Sequence, residues 1–298
     1  MKNKVLDFIK SGRRCFDGAT GSMLMRFGLE VGGCPEEVSG DVIKRIHIAY
    51  IDAGARFVTT NTFGGSRTKL DKYGLGDKVS EINRRNTRLA VEAASGNGTF
   101  VAGDIGPTGE FIEPYGEFTM DRFIEVFSEQ ARALEQGGAD LIIIETMAAI
   151  EETVAALKAA RTSTSLPVIA CMTFNRNPGG EYRTMMGVSP DQFVSTLSNE
   201  GADVLGTNCS LTPPDIIDLA DELRNLTELP LLVQPNAGAP RLEDGRTVYD
   251  PIPDLEGCLK RIIATGVDMV GGCCGTDPEY IRLLKRLLEE AGRESDSS

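Results

Sequence analysis

Residues 266–279 read Gly266-Val267-Asp268-Met269-Val270-Gly271-Gly272-Cys273-Cys274-Gly275-Thr276-Asp277-Pro278-Glu279. The stretch 267–270 has the character of a short buried strand. Asp277-Pro278-Glu279 opens a helix, with proline where its missing N–H is harmless. Between them two adjacent cysteines sit among glycines. Successive side chains of a strand point to opposite faces, so both sulfurs can converge only where the strand has ended and turned. Gly271, Gly272 and Gly275 supply the freedom for that turn. Two sulfurs at the C-terminal lip of a strand suggest a metal site, and such a site needs at least one more ligand.

The same unit recurs along the chain. Strands are expected at 14–17, 57–61, 100–105, 140–146, 167–174, 203–208, 231–235 and 268–273. Most are continuous apolar runs, as parallel strands covered on both faces require. Amphipathic helices are expected at 41–53, 121–136, 150–162, 190–200, 214–225 and 254–265, their apolar positions recurring every three to four residues. Several close on glycine before the next strand, as at Gly54 and Gly138, the expected C-cap. Eight strands alternating with helices fit an α/β fold of the (β/α)8 TIM-barrel type, one domain over residues 1–288. An open doubly wound sheet is the alternative, but no Gly-x-Gly-x-x-Gly turn follows the first strand. The charged segment 289–298 is expected to fray.

Composition narrows the function. The 298 residues are 41% hydrophobic and 25% charged with a net charge of −13, which argues against a nucleic-acid partner. No apolar run approaches the length needed to cross a bilayer, and the start lacks the apolar segment of a signal peptide, so the expected location is cytoplasmic. Seven cysteines (15, 34, 171, 209, 258, 273 and 274), an odd number with no export signal ahead of them, argue against a disulfide framework and favour metal or catalytic use. His47 is the only histidine, which excludes zinc sites built on several histidines.

Chemistry in such barrels sits at the C-terminal strand ends. There Cys209 closes the sixth strand as Cys273 and Cys274 close the eighth, and alternate strands can share one ion. Three thiolates without histidine suit Zn²⁺, with a fourth position left open for substrate. A site so rich in negative sulfur is a poor generator of hydroxide but a good holder of a substrate thiolate, since a free thiol is only slightly ionised at neutral pH. Sulfur alkylation is the reaction this suggests. Asp17 and Glu145, at the ends of the first and fourth strands, are placed to meet an ammonium group. The Gly18-Ala19-Thr20 turn can offer backbone N–H groups to a carboxylate. An amino-acid thiol satisfies both demands.

The motifs Asp17-Gly-Ala-Thr-Gly, Thr60-Asn-Thr-Phe-Gly, Gly103-Asp-Ile-Gly-Pro-Thr-Gly, Glu145-Thr, Asn208-Cys-Ser, Pro235-Asn-Ala-Gly and Gly271-Gly-Cys-Cys-Gly-Thr occur in this order. Together they resemble the homocysteine S-methyltransferase family over nearly the whole chain. The resemblance is greatest to the N-terminal homocysteine-binding module of cobalamin-dependent methionine synthase. Betaine–homocysteine and S-methylmethionine–homocysteine methyltransferases are similar at the same motifs. The resemblance implies a zinc-bearing barrel with Cys209, Cys273 and Cys274 as ligands, and homocysteine gripped by Asp17, Glu145 and the backbone of Gly18, Ala19 and Thr20.

The methyl donor is read from departures. The resemblance stops at the first module, and no Asp-x-His-x-x-Gly corrinoid motif surrounds His47. The expected donor is therefore methylcobalamin on a separate corrinoid protein. The alternatives are a small donor (S-methylmethionine, S-adenosylmethionine or betaine) or a thiol-loading subunit that works only inside a corrinoid complex. A betaine site would draw an aromatic cage from Phe63, Tyr73 and Tyr115.

Blander roles compete elsewhere. Cys15, Cys171 and Cys258 read as buried small hydrophobes; Cys34, before Pro35, could touch substrate or partner. His47 reads as a helix residue without chemistry. Asp104 reads equally as a substrate ligand or as the cap of a structural turn. Asn208 and Asn236 are candidate substrate contacts or, with Asn61, supports of the site's walls. A structural zinc or a redox pair is the competing reading of the three cysteines.

Overall fold

The computed structural model describes residues 2–27, 33–243 and 246–295. Twelve strands and eleven α-helices alternate among them. The barrel strands are β1 (Arg14–Cys15), β2 (Phe57–Thr59), β3 (Phe100–Ile105), β4 (Leu141–Met147), β5 (Val168–Met172), β8 (Val204–Asn208), β9 (Leu231–Gln234) and β12 (Met269–Val270). All run parallel, in the order β1-β12-β9-β8-β5-β4-β3-β2. The remaining seam closes by a parallel bridge between Phe16 and Phe57 and by Arg56 N–H donating to the Cys15 carbonyl at 2.8 Å. The expected (β/α)8 barrel is the observed fold.

The helices are α1 (Lys2–Lys10), α2 (Thr20–Arg26), α3 (Gly40–Ala53), α4 (Arg67–Asp71), α5 (Val79–Ala94), α6 (Met120–Gly137), α7 (Ile150–Ser163), α8 (Pro190–Asn199), α9 (Pro213–Leu226), α10 (Leu255–Ala264) and α11 (Pro278–Ser295). The signals behind them are local. In α6 the Thr119 hydroxyl accepts from Arg122 N–H, Gly138 ends the helix at φ 101°, and Phe123, Phe127, Ala131 and Leu134 form the buried face.

Side-chain alternation along the strands builds two apolar layers. Ala102, Leu141, Ile143, Ile169, Val204, Leu232 and Met269 point inward and fill the barrel. A larger cluster lies between the strands and the helical ring. The inner layer is plugged from below by Val5 and Ile9 of α1, a helix the sequence reading leaves out. Two hairpins interrupt the strand-to-helix connections: β6 (Asn175–Arg176) with β7 (Tyr182–Arg183), and β10 (Pro240–Glu243) with β11 (Arg246–Tyr249).

The segment expected to fray from 289 is instead helical as far as Ser295, the residues beyond lying outside those described. Leu287 and Leu288 are buried against the barrel, and Lys285–Glu289 and Arg286–Glu290 pair one turn apart. Burial of one face extends a helix that its charge pattern alone leaves marginal.

Candidate active site at the barrel mouth

The mouth is built where strands stop. After Asn208, the last residue of β8, Cys209 and Ser210 adopt left-handed φ values of 64° and 56°. Cys209 N–H still donates to the Gln234 carbonyl on β9 at 3.1 Å. The strand thus ends on a sharp turn, a conformation that persists in a side-chain-bearing residue only when its surroundings impose it. After β12, Gly272 N–H donates to the Asp17 carbonyl, Cys273 N–H to the Pro235 carbonyl, and Ala237 N–H to the Cys274 carbonyl. Those bonds aim both sulfurs back toward Cys209.

The Cys209 and Cys274 sulfurs lie 3.8 Å apart, and all three lie within 4.8 Å of one another. Ligands on one tetrahedral ion with metal–sulfur bonds of about 2.3 Å sit roughly 3.8 Å apart. The cluster therefore fits a single metal ion held by three thiolates. Hydrogen bonding with Cys273 and Cys274 drives Cys209 down, and the same contacts to Cys209 raise Cys273 and Cys274.

Asn208 is a strut. Its Oδ1 accepts from Thr146 N–H at 2.8 Å, while its Nδ2 reaches Thr146 Oγ1 at 2.8 Å, Glu145 Oε2 at 3.4 Å and Cys273 Sγ at 3.8 Å. Thr146 itself is held at φ 58°. Asn236 hydrogen-bonds Cys209 and helps lower its pKa, yet its Oδ1 is buried without a partner among the described residues.

Two carboxyl groups stand at other strand ends: Asp17 follows β1, its carbonyl accepting from Gly272 N–H, and Glu145 on β4 shares Asn208 Nδ2 with Cys273. Asp17 is 1% exposed, and its two oxygens accept from Thr59 N–H at 2.7 Å and Thr59 Oγ1 at 2.9 Å. Burial still pushes it up to about 7 against the pull of those bonds. Glu145, on β4, is pushed up to about 8 by burial and then by the charges of Asp17 and Cys209. Both acids are poised to gain from a cation brought between them.

The Gly18–Thr20 turn is locked from behind. Ala19 N–H donates to Thr276 Oγ1 at 3.1 Å, and the Tyr50 hydroxyl lies 3.1 Å from the Ala19 carbonyl and 3.2 Å from that of Thr276. The Ala19 amide is thus engaged internally, whereas those of Gly18 and Thr20 have no partner among the described residues. A β-carbon on Gly18 would lie 2.7 Å from Thr276 Oγ1 and 2.9 Å from the Tyr50 ring, so only glycine lets the turn seat this closely.

The remaining candidates stay apart. Cys15, Cys171 and Cys258 are buried, and Cys34 Sγ lies 3.3 Å from Glu36 Oε2, beside residues outside those described. Asn61 donates to the Pro35 carbonyl, a wall contact. His47 is buried in α3. Thr59, Thr276, Tyr50 and Tyr249 are parts of the site that sequence reasoning missed, and Thr146 entered it only as the neighbour of Glu145. Each acts through a contact with a residue far away in the chain, and only the Gly-Thr flanking of the two cysteines hinted at Thr276.

Comparison with known proteins follows the same outline. A family model described as homocysteine S-methyltransferase matches residues 14–288. Methionine synthases of Mycobacterium tuberculosis and Mycobacterium leprae are each 30% identical to the chain, over 93% and 89% of its length. The chain spans only about a quarter of those relatives, 25% and 23%. The metallated homocysteine methyltransferase MmuM from Escherichia coli superposes with a TM-score of 0.78 at 24% identity, covering 95% of this chain and 98% of that one. The carboxyl transferase domain of Rhizobium etli pyruvate carboxylase, at 16% identity and a TM-score of 0.56, shares only the barrel.

Proposed function

The chain belongs to the homocysteine S-methyltransferase family, and from that premise we propose that it transfers a methyl group to the sulfur of homocysteine to give methionine. The observation that carries this reading is the gathering at the strand ends of three cysteine sulfurs within 4.8 Å of one another, with the carboxyl of Glu145 sharing Asn208 Nδ2 with one of them. Zinc held by Cys209, Cys273 and Cys274 would supply the charge that keeps the acceptor thiol deprotonated at neutral pH, where a free thiol of pKa ~8.5 is mostly protonated.

The chain's own groups do the rest. Asp17 and Glu145 receive the substrate ammonium, and the Gly18 and Thr20 amides its carboxylate. Asn208, fixed by Thr146, holds Glu145 and Cys273 in register. In the transfer a sulfur–carbon bond forms. The donor–methyl bond breaks with its electron pair staying on the donor, and the thiol proton passes to solvent.

A donor carried by a separate methyl-corrinoid protein fits the rim. Phe63, Phe111, Tyr115, Met185, Met186 and Leu242 are large apolar side chains, 38–83% exposed, on segments that follow strand ends. Apolar side chains left exposed on these loops are available to a docking protein. Phe63, Tyr73 and Tyr115, 38%, 46% and 83% exposed, are too open to desolvate a quaternary ammonium, which disfavours a betaine cage. The setting proposed is cytoplasmic; all seven cysteines are free, and no described helix is long and apolar enough to cross a membrane.

Incubation of the zinc-loaded protein with L-homocysteine tests the reading. The donors to supply are methylcobalamin bound to a corrinoid protein, free methylcobalamin, S-methylmethionine, S-adenosylmethionine and betaine. Methionine should form, fastest with the protein-borne donor. Absence of methionine with every donor would remove the proposed activity, and turnover with a small donor alone would remove the corrinoid partner.

A further inference from the structure

Asp104 is the fifth residue of β3. Alternation places it on the inward side shared by Ala102, which packs in the barrel interior with Leu141 and Ile143 of β4. Asp104 pairs with Ile143 of β4 and Glu145 lies two residues further along that strand, so the two acids rise from neighbouring parallel strands, close enough for the charge of Glu145 to act on Asp104. Asp104 is 3% exposed, and its Oδ1 has no hydrogen-bond partner among the described residues.

The carboxylate does not cap the turn. Around Asp104 the backbone makes the contacts: its N–H donates to Thr60 Oγ1 at 3.0 Å, and its carbonyl accepts from Thr62 Oγ1 at 2.8 Å and Gln130 Nε2 at 3.2 Å. The loop beyond is held by Glu152 Oε1, which accepts from Thr108 N–H and Oγ1, both at 2.7 Å. The groups whose charges act on Asp104 are the acids Glu145, Asp17 and Glu36, and Cys171 lies within reach of its field. Burial and these like charges raise it well above the ordinary carboxyl range. A buried acid without a partner is costly, and this one stands in the mouth beside two others. An arriving cation relieves all three.

We propose that Asp104 is a third carboxylate contact for the ammonium group of the acceptor amino acid, and so a residue that selects α-amino thiols over thiols lacking the amine. The inference rests on the homocysteine reading of the site. An ammonium offers three N–H donors, and Asp17, Asp104 and Glu145 approach it from the ends of β1, β3 and β4.

The test is calorimetric titration of zinc-loaded wild type, Asp104→Asn, Asp104→Ala and Glu145→Gln. The two ligands are L-homocysteine and 4-mercaptobutanoate, which is homocysteine without its amine. Zinc content and thermal midpoint are measured on each protein. Wild type should prefer L-homocysteine. Both Asp104 variants should lose about tenfold or more of that affinity, with 4-mercaptobutanoate binding and zinc content unchanged and the midpoint equal or higher. A preference unchanged in the Asp104 variants but reduced in Glu145→Gln overturns the role of Asp104 and leaves the homocysteine reading standing. Equal binding of both ligands by wild type, unaffected by Glu145→Gln, overturns the homocysteine reading and this inference with it.

Discussion

Asp17 receives both its hydrogen bonds from one residue, Thr59, across the barrel's closing seam. That pairing explains how a 1%-exposed acid is tolerated, and it was invisible in the sequence because the two are 42 positions apart. The ligand-like residues were legible for the opposite reason. Cysteines and acids at predicted strand ends announce chemistry by type, whereas a threonine such as Thr59 becomes informative only once its partner is known. His47 makes the point from the other side. The sequence assigned it no chemistry, and it lies buried with neither ring nitrogen partnered among the described residues. Burial pushes it down to about 4, while the unfolded chain titrates near 6.5. Between those values the unfolded state binds a proton that the folded state refuses. The contribution of His47 to stability is therefore fully present above pH 6.5 and is lost as pH drops, by about 3 kcal/mol at pH 4. His47→Leu should flatten that part of the curve of denaturation midpoint against pH; identical slopes in both proteins would contradict it.

At the scale of elements, helices and strands were legible from apolar runs and glycine caps, and most boundaries moved by only a residue or two. The parts not foreseen are α1, whose Val5 and Ile9 plug the barrel, the helices α2, α4 and α5, and the two short hairpins at the mouth. The second hairpin matters to the site. Tyr249, at its end, lies with its ring over Gly275, which has φ 85°, and a β-carbon there would lie 2.5 Å from the ring. Tyr249 also hydrogen-bonds Ser22 and Cys274. Gly275→Ala should therefore push the hairpin off its seat and disturb Cys274, weakening zinc binding by about tenfold. Competition with a chromophoric chelator measures this. Unchanged affinity would mean that the hairpin gives the sulfur cluster no support.

The whole molecule separates its tasks along the barrel axis. Apolar side chains and α1 fill the lower barrel, acids and sulfurs occupy the mouth, and exposed apolar groups crown the loops above. Closure was the decisive step in making the site. Sequence reasoning brought Cys209 to the Cys273-Cys274 turn only by counting strands, and the observed strand order, in which β8 and β12 flank β9, is what makes that count physical. The proposed donor protein was less legible, because a docking surface is defined by what stays exposed after folding. The central claim is that these three sulfurs hold one metal ion on which acceptor binding depends. Zinc analysis of purified wild type and Cys273→Ala, each then titrated with L-homocysteine, tests it most directly. The account predicts about one zinc per wild-type chain, none in the variant, and homocysteine binding lost with the metal; a Cys273→Ala protein that remains fully loaded and binds homocysteine as wild type does would contradict it.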